Sequence, residues 1–95
     1  NKYMFFKSVD EKLADLGFKK IEENMYGAEY ERYDDNYEYT QCVSILHKAS
    51  GRHILQSYDR DLSDVDGIVN TCVGLTGYEM GLFYRKMKQM GYVTK

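Results

Sequence analysis

YTQCVSILHKASGRHILQSYD, residues 39–59, is the stretch on which the fold of this chain turns. Two runs rich in β-branched, aromatic and other apolar residues flank Ala49-Ser50-Gly51-Arg52, whose small and polar residues suit a turn. The segment therefore reads as an antiparallel hairpin. Side chains alternate along a strand, so Val43, Ile45 and His47 share one face while Cys42, Ser44 and Leu46 share the other. Ile54 and Leu55 likewise fall on opposite sides. Apolar residues on both faces imply that the second face is covered too, by residues 60–75, by the N-terminal arm or by a second copy of the chain. His47 and His53 sit at the two sides of the turn. They share a face if the loop has odd length and lie on opposite faces if it has even length, so a His pair hangs on one residue of register.

Outward from this hairpin, residues 18–24 and 26–33 are two further candidate strands, with Asn24 as a turn residue between them and Asp34-Asp35-Asn36 closing the connection to residue 39. No proline interrupts any of these runs. A helix is expected on each side of the strands. Ser8-Val9-Asp10-Glu11 has the S-x-x-E form of a capping box, Val9, Leu13 and Leu16 recur at helical spacing, and Gly17 followed by Phe18 supplies a left-handed stop. Tyr3, Phe5 and Phe6 extend that helix backward or form a short strand. Thr76-Gly77-Tyr78-Glu79 repeats the capping grammar, with Met80, Phe83, Tyr84, Met87 and Met90 as the apolar stripe and Gly91 as the stop. Arg85, Lys86 and Lys88 lie off that stripe, where positive charge complements the helix C-terminus. The reading is an α+β fold in one domain spanning 1–95: helix, three- to four-stranded antiparallel β-meander, helix, packed as a two-layer sandwich.

Composition narrows the functional classes. A net charge of −2 over 95 residues lacks the basic footprint of a nucleic-acid binder. Charge is also uneven, with Glu29, Glu31, Asp34, Asp35 and Glu38 crowding residues 26–39 and only cations among the charges of residues 85–95. The apolar runs are too short for a membrane helix or a signal peptide, which gives the expectation of a cytoplasmic protein. Cys42 and Cys72 are 30 positions apart with no CxxC or Cys/His grouping, so two reduced thiols are expected, with neither a disulfide framework nor a zinc site.

Residues 26–39, YGAEYERYDDNYEY, hold five of the ten tyrosines. Alternation places Tyr26 and Tyr30 inward over the helices, while Tyr33, Tyr37 and Tyr39 flank the acidic turn with rings partly exposed. The carboxylates around them oppose base stacking, because they repel a phosphate backbone. The four aspartates of DRDLSDVDG, residues 59–67, fail as an EF-hand loop. With Asp64, Asp66 and Gly67 at positions 3, 5 and 6, Leu62 and Val73 occupy the first and last ligand positions. There is no phosphate-cradling glycine loop and no nucleophile elbow, so no cofactor, metal or catalytic residue is assigned.

SVDEKLADLGFKKIEEN, YTQCVSILHKASGRHILQSYD and VGLTGYEMGLFYRKMKQMGY together resemble small uncharacterised proteins of phages and prophages of Gram-positive bacteria. The resemblance spans about residues 5–92 and rests on helix caps and strand patterns. It implies a small accessory protein of a mobile element that binds a host or phage protein. The expectation is thus a non-enzymatic interaction module whose partner is another protein or a second copy. Its candidate contact residues are Tyr33, Tyr37, Tyr39, Leu46 and Leu55. A nucleic-acid regulator using the basic second helix, or an enzyme or ligand binder without a recognisable motif, is the alternative.

Overall fold

The structure, a computed structural model, describes residues 6–63 and 71–93. Tyr3, Phe5, Asp64 and Asp66, which figured in the sequence reading, lie outside the described residues. Helix α1 spans Val9–Asp15, followed by strands β1 Lys19–Asn24, β2 Gly27–Asp34, β3 Tyr39–Leu46 and β4 Ile54–Asp59. A short helix α2 Arg60–Ser63, a two-residue strand β5 Thr71–Cys72 and helix α3 Gly77–Gln89 complete the order. The strands pair antiparallel in chain order, β1-β2-β3-β4-β5. The α+β sandwich expected from sequence is thus present, with five strands among the described residues in place of three or four.

Both capping boxes form. Ser8 Oγ accepts from the Glu11 amide at 3.1 Å while Glu11 accepts from the Ser8 amide at 2.8 Å. Thr76 and Glu79 repeat this at 3.1 and 2.9 Å, satisfying amides that a helix start otherwise leaves without partners. The two stops also form, with Gly17 at φ +95° and Gly91 at φ +78°. In each, the amide two residues beyond the last turn folds back, Phe18 to the Leu13 carbonyl and Tyr92 to the Met87 carbonyl.

The core lies between α1, α3 and one face of the sheet. Val9 and Leu13 come from α1, Ala28 and Tyr30 from β2, Val43 and Ile45 from β3, and Leu82, Phe83 and Met87 from α3, with Phe18 between the layers. The ring of Phe83 receives Phe18 at 5.2 Å and Tyr30 at 5.4 Å, both edge-on, the arrangement that aromatic quadrupoles favour.

Helix α3 corrects the sequence reading of its stripe. Its inward face is Glu79, Leu82, Phe83, Lys86 and Met87, while Met80 and Tyr84 are exposed. Two of the inward positions are charged, and each charge meets a partner. Glu79 takes Arg32 of β2 at 2.8 Å, and Lys86, only 7% exposed, donates to Glu23 at 2.8 Å and Asp10 at 3.3 Å. Arg32 further donates to the Leu16 carbonyl and to Gln41 Oε1, and its guanidinium lies 4.0 Å over the Phe18 ring. Tyr26 is the second correction. It belongs to the β1–β2 turn and is exposed, whereas Tyr30, the fourth residue of β2, is completely buried with its hydroxyl donating to Asp10 at 2.6 Å.

Candidate functional site

The register divides the sheet's side chains between two faces. Ala28, Tyr30 and Arg32 pair with Ile45, Val43 and Gln41 on the helix side, and Leu55 stands beside Ile45 on the same side. The opposite face carries Glu29, Glu31 and Tyr33 from β2, Cys42, Ser44 and Leu46 from β3, and Ile54, Gln56 and Tyr58 from β4. Neither α1 nor α3 covers it. The expectation that one member of each adjacent apolar pair faces away from the helices therefore holds, since Ile45 and Leu55 turn to the core while Leu46 and Ile54 do not. Leu46 and Ile54 stand directly across from one another, and Ile54 remains 37% exposed.

Along the middle of this face runs a row of short side chains from β3. Thr40, Cys42 and Ser44 of β3 are buried there, and α2 packs against β3 and β4. Arg60, from the start of α2, reaches over one end to Glu31 at 2.9 Å and Thr40 at 3.4 Å. Burial pushes the Cys42 thiol and the Tyr58 hydroxyl up from their ordinary ranges, so Cys42 is a poor nucleophile at neutral pH.

At the other end of the face a pit of about 160 Å³ opens above Gly27. Gly27 is one of its lining residues, set against the Ile45 backbone. The β1–β2 connection is a two-residue turn in which Asn24 Oδ1 accepts from the Tyr26 amide at 2.7 Å, and Gly27 follows at φ +137°. A Cβ there would lie 1.9 Å from the Ile45 carbonyl oxygen. Glu22, Asn24, Glu29, Ser44, Leu46 and Tyr26 wall the pit. Glu22 and Glu29 are opposed across the β1–β2 ladder. Glu22 accepts from Asn24 Nδ2, and Glu29 accepts from Ser44 Oγ at 3.5 Å.

The five contact residues expected from sequence do not form one patch. Tyr33 and Leu46 lie on the open face near opposite ends, Tyr37 is exposed at the β2–β3 turn, and Tyr39 pairs with Asp34 in the helix-side register. Leu55 packs against the core. The expectation about Lys86 also changes, because its ammonium is held inside, leaving Arg85 and Lys88 as the outward cations of that stretch of α3. Sequence reasoning missed the pit, although Asn24-Met25-Tyr26-Gly27 carries its signal: Asn at the first and Gly at the fourth position of a turn.

The loop between β3 and β4 has odd length, as Leu46 pairs with Ile54. His47 and His53 accordingly share a side, with ring centroids 4.6 Å apart and Tyr92 stacked 4.3 Å from His53. The Lys48 amide donates to His53 Nδ1 at 3.0 Å. Among the described residues, no group of three or more His, Cys, Asp or Glu is arranged to hold a metal. Nor is any described helix long and apolar enough to cross a membrane.

Comparison with protein-family models, with curated proteins and with solved structures gives no match for this chain.

Proposed function

We propose that the protein is a non-enzymatic interaction module that docks a protein partner on the open face of its sheet. It acts in the bacterial cytoplasm as a small accessory protein of a mobile element. The observation that carries this reading is a sheet with one face committed to helices and the other without either long helix over it. That second face presents Leu46 and Ile54 at one end, Tyr33 at the other, and the short side chains of β3 between them. Burial pushes the thiol of Cys42 on this face up, which argues against thiolate chemistry there. Free cysteines at 42 and 72 suit a reducing compartment.

The test is a nuclease-treated pull-down from bacterial lysate with three baits. Wild-type protein and a Tyr84→Ser variant on the outer surface of α3 should retain the same protein. A Leu46→Ser/Ile54→Thr variant should lose it. Retention by all three baits would move the interaction off the sheet, and capture that nuclease abolishes would favour the nucleic-acid alternative. Sedimentation of the purified protein separates a foreign partner from a second copy, the other occupant the face could take.

A further inference from the structure

The acids of this protein fall into matched and unmatched sets. Asp10 and Glu23 share Lys20 and Lys86, Asp15 holds Lys7, Glu31 holds Arg60, and Glu79 holds Arg32. Glu22 and Glu29 have no cationic partner among the described residues, yet they stand opposite one another on adjacent strands. Like charges in that position destabilise a sheet. The pit that they flank has a volume of about 160 Å³, where about 15 Å³ suffices for one water. It therefore takes a group of side-chain size. Its lining residues include two kinds, acidic Glu22 and Glu29 with Ser44 on the one hand, and half-buried Leu46 with exposed Tyr26 on the other.

We propose that this pit receives a lysine or arginine side chain of the protein partner, its cationic head between Glu22 and Glu29 and its aliphatic stem along Leu46 and Tyr26. The inference rests on the reading of the open face as an interaction surface and names the chemistry of the partner. Long basic side chains have the required form, an apolar stem ending in a charge. The head supplies the positive charge that the opposed carboxylates lack, and its hydrogen-bond donors meet acceptors on both strands. No side chain extends from position 27, because a Cβ there would run into the Ile45 carbonyl.

The probe is a synthetic nonapeptide of alternating lysine and serine, with its Nε-acetylated form as the uncharged control, titrated into labelled protein and followed by amide chemical shifts. The lysine peptide should move the amides of Gly27, Glu29, Ser44 and Leu46, and the acetylated peptide should not. Glu22→Gln/Glu29→Gln should weaken binding about tenfold or more, while Asp35→Asn/Glu38→Gln at the acidic turn should change it less than about twofold. The first variant removes a repulsion, so its melting temperature should hold or rise, and its lost binding is not unfolding. Equal weakening by both variants, or shifts centred on residues 34–38, would reduce the effect to diffuse attraction and overturn the proposal. A peptide that fails at the pit while the Leu46→Ser/Ile54→Thr bait still loses its partner overturns the cationic anchor alone. Peptide bound at the pit with capture unaffected in that bait would show that the pit takes a basic side chain while the partner docks elsewhere. That outcome sinks the sheet-face module and with it the assignment of the pit to that partner.

Discussion

Single positions set limits that composition does not reveal. Gly17, Gly27 and Gly91 all have positive φ, but only Gly27 has backbone in the space a Cβ would occupy. Replacement by Ala should cost on the order of 1 kcal/mol at Gly17 and Gly91, where the left-handed conformation is the main penalty. At Gly27 the Ile45 carbonyl must also move, and the cost should exceed about 2 kcal/mol. Thermal unfolding of the three variants gives the ranking, and a Gly27→Ala protein as stable as the other two would contradict the turn geometry. Tyr30 makes a second prediction. Burial, reinforced by the bond to Asp10, pushes its hydroxyl far above the usual phenol range. Ultraviolet titration of the ten tyrosines should leave at least this one silent until the protein unfolds. Its ionisation in the intact fold would disprove the burial.

At the level of elements, α3 shows what sequence could and could not convey. Its start and stop were legible because capping boxes and stop glycines are local chemistry, written in residues that touch one another. Its inward face was not. Glu79 and Lys86 occupy positions whose spacing with Leu82, Phe83 and Met87 is helical, but charge at a position reads as solvent unless its partner is known, and those partners lie 47 to 76 residues away. The pit at Gly27 was hidden for a related reason, since β1, β2 and β3 must first be in register. The network itself is testable. Glu79→Ala strips the partner from a largely buried Arg32 and one arm of a cap, and should cost about 2–3 kcal/mol. Lys86→Met keeps the stem, and Asp10 and Glu23 retain Lys20 and partial exposure, so about 1 kcal/mol is expected. Denaturant midpoints giving the reverse order would show that Lys86 holds the layers together more than Arg32 does.

For the whole molecule, these pairs fix how stability responds to acid. Burial alone would raise the carboxyls of Asp10 and Glu79. Tyr30, Lys20 and Lys86 around the first, and the Thr76 amide with Arg32 around the second, hold both below the usual range. Glu23 is lowered by Lys86 and Lys20. Groups depressed in the folded state contribute in full above the unfolded value of roughly 4 and lose that contribution as pH falls through the folded value. Urea unfolding should therefore be nearly level in stability from about pH 7 to about pH 5 and then decline toward pH 2, with a shallower decline in Asp10→Asn/Glu79→Gln. An unchanged slope in that variant would assign the acid sensitivity to other carboxylates.

The two buried charges of α3 also give the helix a direction. They lie seven residues apart, about 10 Å along the axis, with Glu79 over an arginine and Lys86 over two carboxylates. Leu82, Phe83 and Met87 would fill much the same space if the helix were laid down end for end, since apolar contact has no sign. In that reversed docking Glu79 would confront Asp10 and Glu23, and Lys86 would confront Arg32, turning every attraction into a repulsion. Packing tells this helix where to lie, and the charges tell it which way to point.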